Sequence, residues 1–372
     1  MRFLTPVVVL VALAALGAAA AVAWAGYTFQ QFETVTPAGS LDCTPVVGIA
    51  GAGDIEPLPG TSSAFLASFD RRGDAKRGEL ILFDTEDPLD AASWRDRTGG
   101  VPAAFIPSGI DLFETNLPEG RRLRRLFVVN TAGPEVVLFD VGEDGALTLG
   151  ERFSDPRLVS PNDVVATGPR SFYVSNDTGS GRKSLKGKAD FVLGLKTGAI
   201  MHYDGNSWSV VADELAFPNG LALSPDRLTL HVAEMRAKSL VEYDRDPRSD
   251  QLTRRADVAL PSFPNNLSVG ADGEVLVGTL PQPLATSAYG EGLRETAASE
   301  VLSVSEAGRV TTLFRDPGTA LPGVTMATRL GERLLIGTRA ADRFLLCKGE
   351  AARPALPRGQ GGAGAPGVAP AF

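Results

Sequence analysis

The chain predicts an all-β fold, a six-bladed β-propeller, and three observations predict it. A short phrase recurs at Pro161-Asn162-Asp163, Pro218-Asn219-Gly220 and Pro264-Asn265-Asn266, with weaker echoes at Asp54-Ile55, Ser108-Gly109-Ile110 and Gly323-Val324. The six starts lie roughly 45 to 60 residues apart, the period of a propeller blade. Each phrase opens a short strand-like run bounded by Asp, Gly and Pro, whereas long amphipathic helices are scarce.

The elements follow in order. Residues 1–26 are a signal peptide or an uncleaved signal anchor: residues 6–25 are nearly all apolar, Arg2 precedes them, and about 20 apolar residues span a bilayer. Either reading places the remainder outside the cytoplasm. Residues 27–42 read as a linker, 43–350 as the propeller and 351–372 as a disordered tail rich in Gly, Ala and Pro. Paired strands begin at Ser63 and Leu80, then at Leu126 and Glu135, Leu228 and Ser239, and Glu274 and Glu300. Two loops, 183–192 and 284–298, carry helical patterns and are placed over the channel.

The net charge of −8 argues against a nucleic-acid partner, which needs a basic stripe. The cluster Arg121, Arg122, Arg124 and Arg125 reads as a solvated turn and strand edge. There are two cysteines, Cys43 before the first phrase and Cys347 in the last strand. The ends of a propeller meet in one blade, so the two are expected as a disulfide; two unrelated buried thiols are the alternative.

If each phrase starts an innermost strand, oxygen-bearing side chains from distant parts of the chain converge on one axis. That arrangement suits calcium, which takes six to eight oxygens. His202 and His231 fall in strands away from that mouth and read as packing residues. No Gly-x-Ser-x-Gly elbow or serine triad is visible.

Within residues 43–347, several pieces resemble the paraoxonase/arylesterase family, part of the wider gluconolactonase-like group of six-bladed calcium lactonases. They are the run from Pro161 to Pro169, Phe172-Tyr173-Val174-Ser175-Asn176-Asp177, Phe217-Pro218-Asn219-Gly220 with Leu223-Ser224-Pro225-Asp226, Asn266-Leu267-Ser268-Val269, and Leu334-Leu335-Ile336-Gly337-Thr338. The resemblance implies a structural calcium held by Asp54, Asp163 and the Ile110 carbonyl. It also implies a second, catalytic calcium at Gly53, Asn162, Asn219, Asn265 and Asn266. There the chain departs from the family: Gly53 replaces a glutamate and Asn265 an aspartate, so this ion is expected to bind weakly, since affinity follows ligand charge. Ser108 and Thr131 stand where the family has its histidine pair. Asp177 is a substitute general base, or else a turn former. The implied function is calcium-dependent hydrolysis of lactones or aryl esters through a modified, histidine-less site. The alternative is a catalytically degenerate, calcium-binding propeller that serves as a binding or scaffold module.

Overall fold

Six four-stranded antiparallel sheets are arranged as blades in the computed structural model, which describes residues 4–88 and 94–349. The tail expected at 351–372 lies outside the described residues. Each of the first five blades is a consecutive meander. Blade 1 holds β2 (Ala52–Pro57), β3 (Ser63–Ser68), β4 (Glu79–Asp84) and β5 (Arg95–Asp96); blade 2 holds β6 (Pro107–Asn116), β7 (Arg122–Asn130), β8 (Glu135–Val141) and β9 (Leu147–Phe153). Blade 3 holds β10 (Pro161–Ala166), β11 (Phe172–Asn176), β12 (Gly198–Tyr203) and β13 (Trp208–Leu215). Blade 4 holds β14 (Pro218–Leu223), β15 (Thr229–Glu234), β16 (Ser239–Arg245) and β17 (Leu252–Ala259). Blade 5 holds β18 (Phe263–Val269), β19 (Val275–Leu280), β20 (Ser299–Val304) and β21 (Val310–Asp316).

Blade 6 closes the ring. Its inner strands β22 (Val324–Leu330), β23 (Arg333–Thr338) and β24 (Arg343–Lys348) come from the end of the chain, and its outer strand β1 (Asp42–Val47) comes from the beginning. Cys43 and Cys347 sit opposite each other in the β1–β24 ladder and form a disulfide. The bond therefore holds closed the one blade that the chain does not build consecutively.

The six innermost strands are β2, β6, β10, β14, β18 and β22, and they begin at the six recurring phrases. Every one of them carries a register shift at its phrase: at 52/54, 107/110, 161/164, 218/221, 264/267 and 324/326. A bulge breaks strict alternation, so neighbouring residues such as Asn162 and Asp163 need not point to opposite faces. Proline stands at four of these strand heads, positions 107, 161, 218 and 264, where a missing ladder donor costs least. Apolar side chains from adjacent blades fill the seams, for example Phe127, Val136, Val164, Phe172 and Met201 between blades 2 and 3.

Helix α1 (Leu4–Thr28) is long and apolar enough to cross a membrane, a test that a signal sequence also passes. Its side chains from Val8 to Trp24 stand exposed. Immediately after it the chain docks. Phe29 is fully buried with Phe217, Met235, Phe263 and Leu280, and its ring meets that of Phe191 at 5.4 Å. The stretch read as a linker thus holds an anchored residue near its start, because an aromatic ring packed against blades 4 and 5 gains more from burial than from freedom.

Helix α2 (Leu185–Leu193) matches the first helical loop; Ser184 caps it by accepting from Gly187 N, and Gly194 ends it in a left-handed conformation. Helix α3 (Pro283–Gly290) is shorter than the 284–298 pattern suggested, since the chain turns at Gly292, φ 73°. The arginine cluster is also less solvated than expected. Arg124 is buried and donates to Glu114 at 2.6 Å and to the Pro59 carbonyl at 3.1 Å.

Reduction of the Cys43–Cys347 bond is expected to lower the melting temperature markedly. The bond spans 304 residues, and chain entropy sets an upper stabilisation on the order of 5 kcal/mol. Calorimetry with and without reductant checks it; equal melting curves would contradict a closing role.

Candidate active site at the propeller mouth

The heads of the inner strands meet around a cavity of about 450 Å³. Gly53, Ser108, Asn162, Asn219, Asn265 and Asn266 all line it, so blades 1 to 5 each contribute at least one of the residues singled out from the sequence. Thr325 brings in blade 6 and donates its hydroxyl to the Gly53 carbonyl at 2.7 Å. One wall is apolar and comes from α2, α3 and blades 4 and 5: Phe191, Phe217, Met235, Leu280 and Leu284.

The amides are buried and unevenly satisfied. Asn162 Nδ2 donates to Asp177 Oδ2 at 3.3 Å, and Asn266 Nδ2 donates to the Gly53 carbonyl at 3.4 Å. Asn219 Nδ2 has only the Met235 sulfur, at 4.0 Å. The side-chain oxygens of Asn219 and Asn266 are buried with no hydrogen-bond partner. An orphaned buried oxygen is costly, and two on one cavity wall are a donor set in want of a positive ligand.

Beneath the amides lies a tier of carboxylates that join the blades. Asp54 of blade 1 accepts the Ile110 N–H of blade 2 at 2.7 Å. Asp111 of blade 2 accepts the Ala166 N–H of blade 3, and Asp163 of blade 3 accepts the Leu221 N–H of blade 4, both at 2.7 Å. Asp163 also accepts from Val164 N at 2.8 Å. Packing is so close that a Cβ on Gly109 would stand 1.9 Å from Asp163 Oδ1. The later blades use neutral groups instead: Ser268 donates to the Ala327 carbonyl, and the Met326 sulfur receives the Ile55 N–H.

Burial is the main cause that lifts the Asp54 carboxyl to about 7 and the Asp111 carboxyl to about 6. Burial, and then the charge of neighbouring carboxylates, pushes Asp163 and Glu56 well up. Glu56 and Asp111 keep some exposed surface, yet they remain within electrostatic reach of Asp54 and Asp163. Among the described residues, no ion pair reaches Asp54 or Asp163, and no group of three or more His, Cys, Asp or Glu converges as a metal cluster. The donor chemistry suits a hard cation at both levels. An ionised carboxylate has about four acceptor sites, so one or two backbone N–H bonds leave room for a metal.

The catalytic candidates are placed differently. Ser108 lines the cavity. Thr131 is not among the lining residues; its hydroxyl and its N–H both go to the Ile106 carbonyl, within a turn after β7. Asp177 is buried, accepts from the Ser160 hydroxyl and is ion-paired with Arg182. It is thus a tethered carboxylate rather than a free one. His202 pairs with Asp250 at 3.2 Å, while His231, held neutral by burial, lies 3.7 Å from Glu242 near the opposite end of blade 4. Sequence reasoning missed Glu56 and Asp111. Their signal was the i, i+2 spacing from Asp54 and the position just past the blade 2 phrase.

Two expectations follow. Because the native state holds protons on Asp54 and Asp111 up to about pH 7 and 6 while an unfolded aspartate releases its proton near 3.8, the native state binds more protons over that window. In chelator, stability should therefore fall as pH rises from about 4 to 7, and calcium should restore it; melting series across pH test this, and a flat or rising profile in chelator would contradict it. Gly109→Ala should destabilise the domain by about 2 kcal/mol or more through the clash with Asp163, readable by denaturant titration.

The family model described as Arylesterase matches residues 36–348. Serum paraoxonase/arylesterase 1 of Rattus norvegicus is 31% identical over 337 residues, covering 86% of this chain and 92% of the relative. Serum paraoxonase/arylesterase 2 of Bos taurus is 30% identical over 323 residues, covering 82% and 88%. A solved gluconolactonase from Xanthomonas campestris shares the fold, with a TM-score of 0.54 and 16% identity over 84% of this chain and 93% of that one. With its blades, its disulfide and its ring of asparagines at one mouth, the chain belongs to the arylesterase family.

Proposed function

We propose that this protein hydrolyses lactones or aryl esters at the propeller mouth, with calcium as its cofactor. The observation that carries the reading is the pair of orphaned amide oxygens, on Asn219 and Asn266, in the wall of a cavity that also has an apolar side. A scaffold without a ligand gains nothing from burying such atoms, whereas a site that takes a cation and a substrate carbonyl puts them to use.

Asn162, Asn219, Asn265 and Asn266 would hold an ion at the mouth, with the Gly53 carbonyl beside them; Asp54, Asp163 and the Ile110 carbonyl would hold one below. Bound calcium supplies Lewis-acid polarisation of a carbonyl oxygen and stabilises developing negative charge. The chain's own residues do the rest. Asp177 fixes the Asn162 nitrogen, which turns the other end of that planar amide away from it. The apolar wall of Phe191, Phe217, Met235 and Leu284 receives the acyl or aryl body and displaces water from the reacting carbonyl. Ser108 offers a hydroxyl at the same mouth. Thr131 lies outside the lining and is given no role in this reading. The exposed apolar helix and the disulfide suit an extracytoplasmic chain, membrane-anchored or secreted.

A second reading, a calcium-binding module without turnover, is favoured by the tether of Asp177 to Arg182, which occupies the carboxylate expected to serve as base. Calcium titration against phenyl acetate and a δ-lactone separates the two. Turnover should rise with calcium, vanish in chelator and drop about tenfold or more in Asn219→Ala, the usual scale for a lost ligand-shell group. Calorimetric calcium binding with no turnover of either compound would favour the module.

A further inference from the structure

The loops that join the second and third strands of each blade all lie at the mouth, and three of them bring arginines to the cavity. Arg71 comes from blade 1, Arg182 from blade 3 and Arg339 from blade 6, and all three line the same space, with Lys188 of α2 nearby. Of these, among the described residues, Arg182 alone has an ion-pair partner, Asp177. Among the described residues, Arg71 and Arg339 form no ion pair, and the Nε atoms of Arg71 and Arg182 are buried without a hydrogen-bond partner. Among the described residues the one acid in the lining is Glu291, and Asp177 enters through its ion pair with Arg182. Four cations thus face two carboxylates, Glu291 and Asp177, on a chain whose net charge is −8.

Guanidiniums held this way are unfavourable unless something negative joins them. Burial and mutual repulsion with Arg182 and Arg339 bring Arg71 down to about 9, and burial and Arg182 bring Arg339 down to about 10. Both stay charged at neutral pH. The blade 4 loop makes the contrast plain. There Arg236 donates to the Phe191 carbonyl at 2.7 Å and to the Val192 carbonyl at 3.2 Å, and stacks 4.3 Å from the Phe29 ring centre. An arginine at this loop position can be spent on structure; among the described residues Arg71 has only the Phe69 ring, 5.2 Å away, and no carbonyl or carboxylate partner is seen for the Arg71 or Arg339 guanidinium.

We propose that the substrate carries a carboxylate on an apolar body, received by an arc of Arg71, Arg182 and Arg339 that faces the apolar wall of α2, α3 and blades 4 and 5. The guanidinium fork matches a carboxylate in two-point geometry, and a partly enclosed cavity strengthens the contact. This rests on the hydrolase reading for the reaction but not for the binding.

The test compares 4-acetoxybenzoate with its neutral methyl ester, which present the same aryl acetate to the site. The acid should be preferred in kcat/KM by about tenfold or more, the scale of one hydrogen bond to a charged group. Arg71→Gln and Arg339→Gln should each lower that preference several-fold, and added salt should lower it as well. Binding of octanoate and octanamide is measured in parallel by calorimetry, with no turnover required. If neither ester is cleaved but octanoate binds at least tenfold more tightly than octanamide, and loses that margin in Arg339→Gln, the hydrolase reading fails and the anion site stands. If the esters are cleaved without preference for the acid, or if the preference survives both substitutions, the anion site is overturned and the hydrolase stands.

Discussion

The structure depends on buried carboxylates that reach from one blade to the backbone of the next. Asp54, Asp111 and Asp163 each accept an N–H from the neighbouring inner strand, which sets blades 1 to 4 in register around the axis. Inner strands have one free edge apiece, and buried edge amides left unpaired are costly. Satisfying them with acids rather than with neutral groups has a second effect: it gathers at the centre of the ring carboxyls whose protons a cation can replace. The same side chains that align the blades therefore make the axis receptive to a cation.

Those acids are distributed unevenly. Blades 5 and 6 use Ser268 and Met326 where blades 1 to 3 use aspartates. The tier above is neutral, made of asparagines, and the rim beyond it is cationic. From the core outwards, acids are followed by amides and the amides by arginines on one side and aromatic or aliphatic groups on the other. The mouth therefore presents a gradient rather than a uniform pocket.

The blade period, the inner-strand heads and the pairing of Cys43 with Cys347 were legible in the chain, because each depends on local turn chemistry or on the closure that any ring requires. Asn162, Asn219, Asn265 and Asn266 were legible as a group for the same reason: they share one position in a repeat. The position of Thr131 relative to the cavity was not, since it depends on where the loop bends after its strand. Asp177 was visible as an acid, but its ion pair with Arg182 crosses a loop whose path no short pattern specifies. The arginine arc was invisible altogether. Arg71, Arg182 and Arg339 lie in non-repeating loops of three different blades and share no motif.

By itself, then, the sequence determined the number of blades, the strand that closes them and the oxygen-bearing side chains at their heads, because repetition turns one local preference into six. Tertiary structure alone decided which acids would be tied to backbone or to arginine, and which cations would be left facing the cavity. Those outcomes depend on distances between loops far apart in the chain, and such distances exist only once the ring has closed.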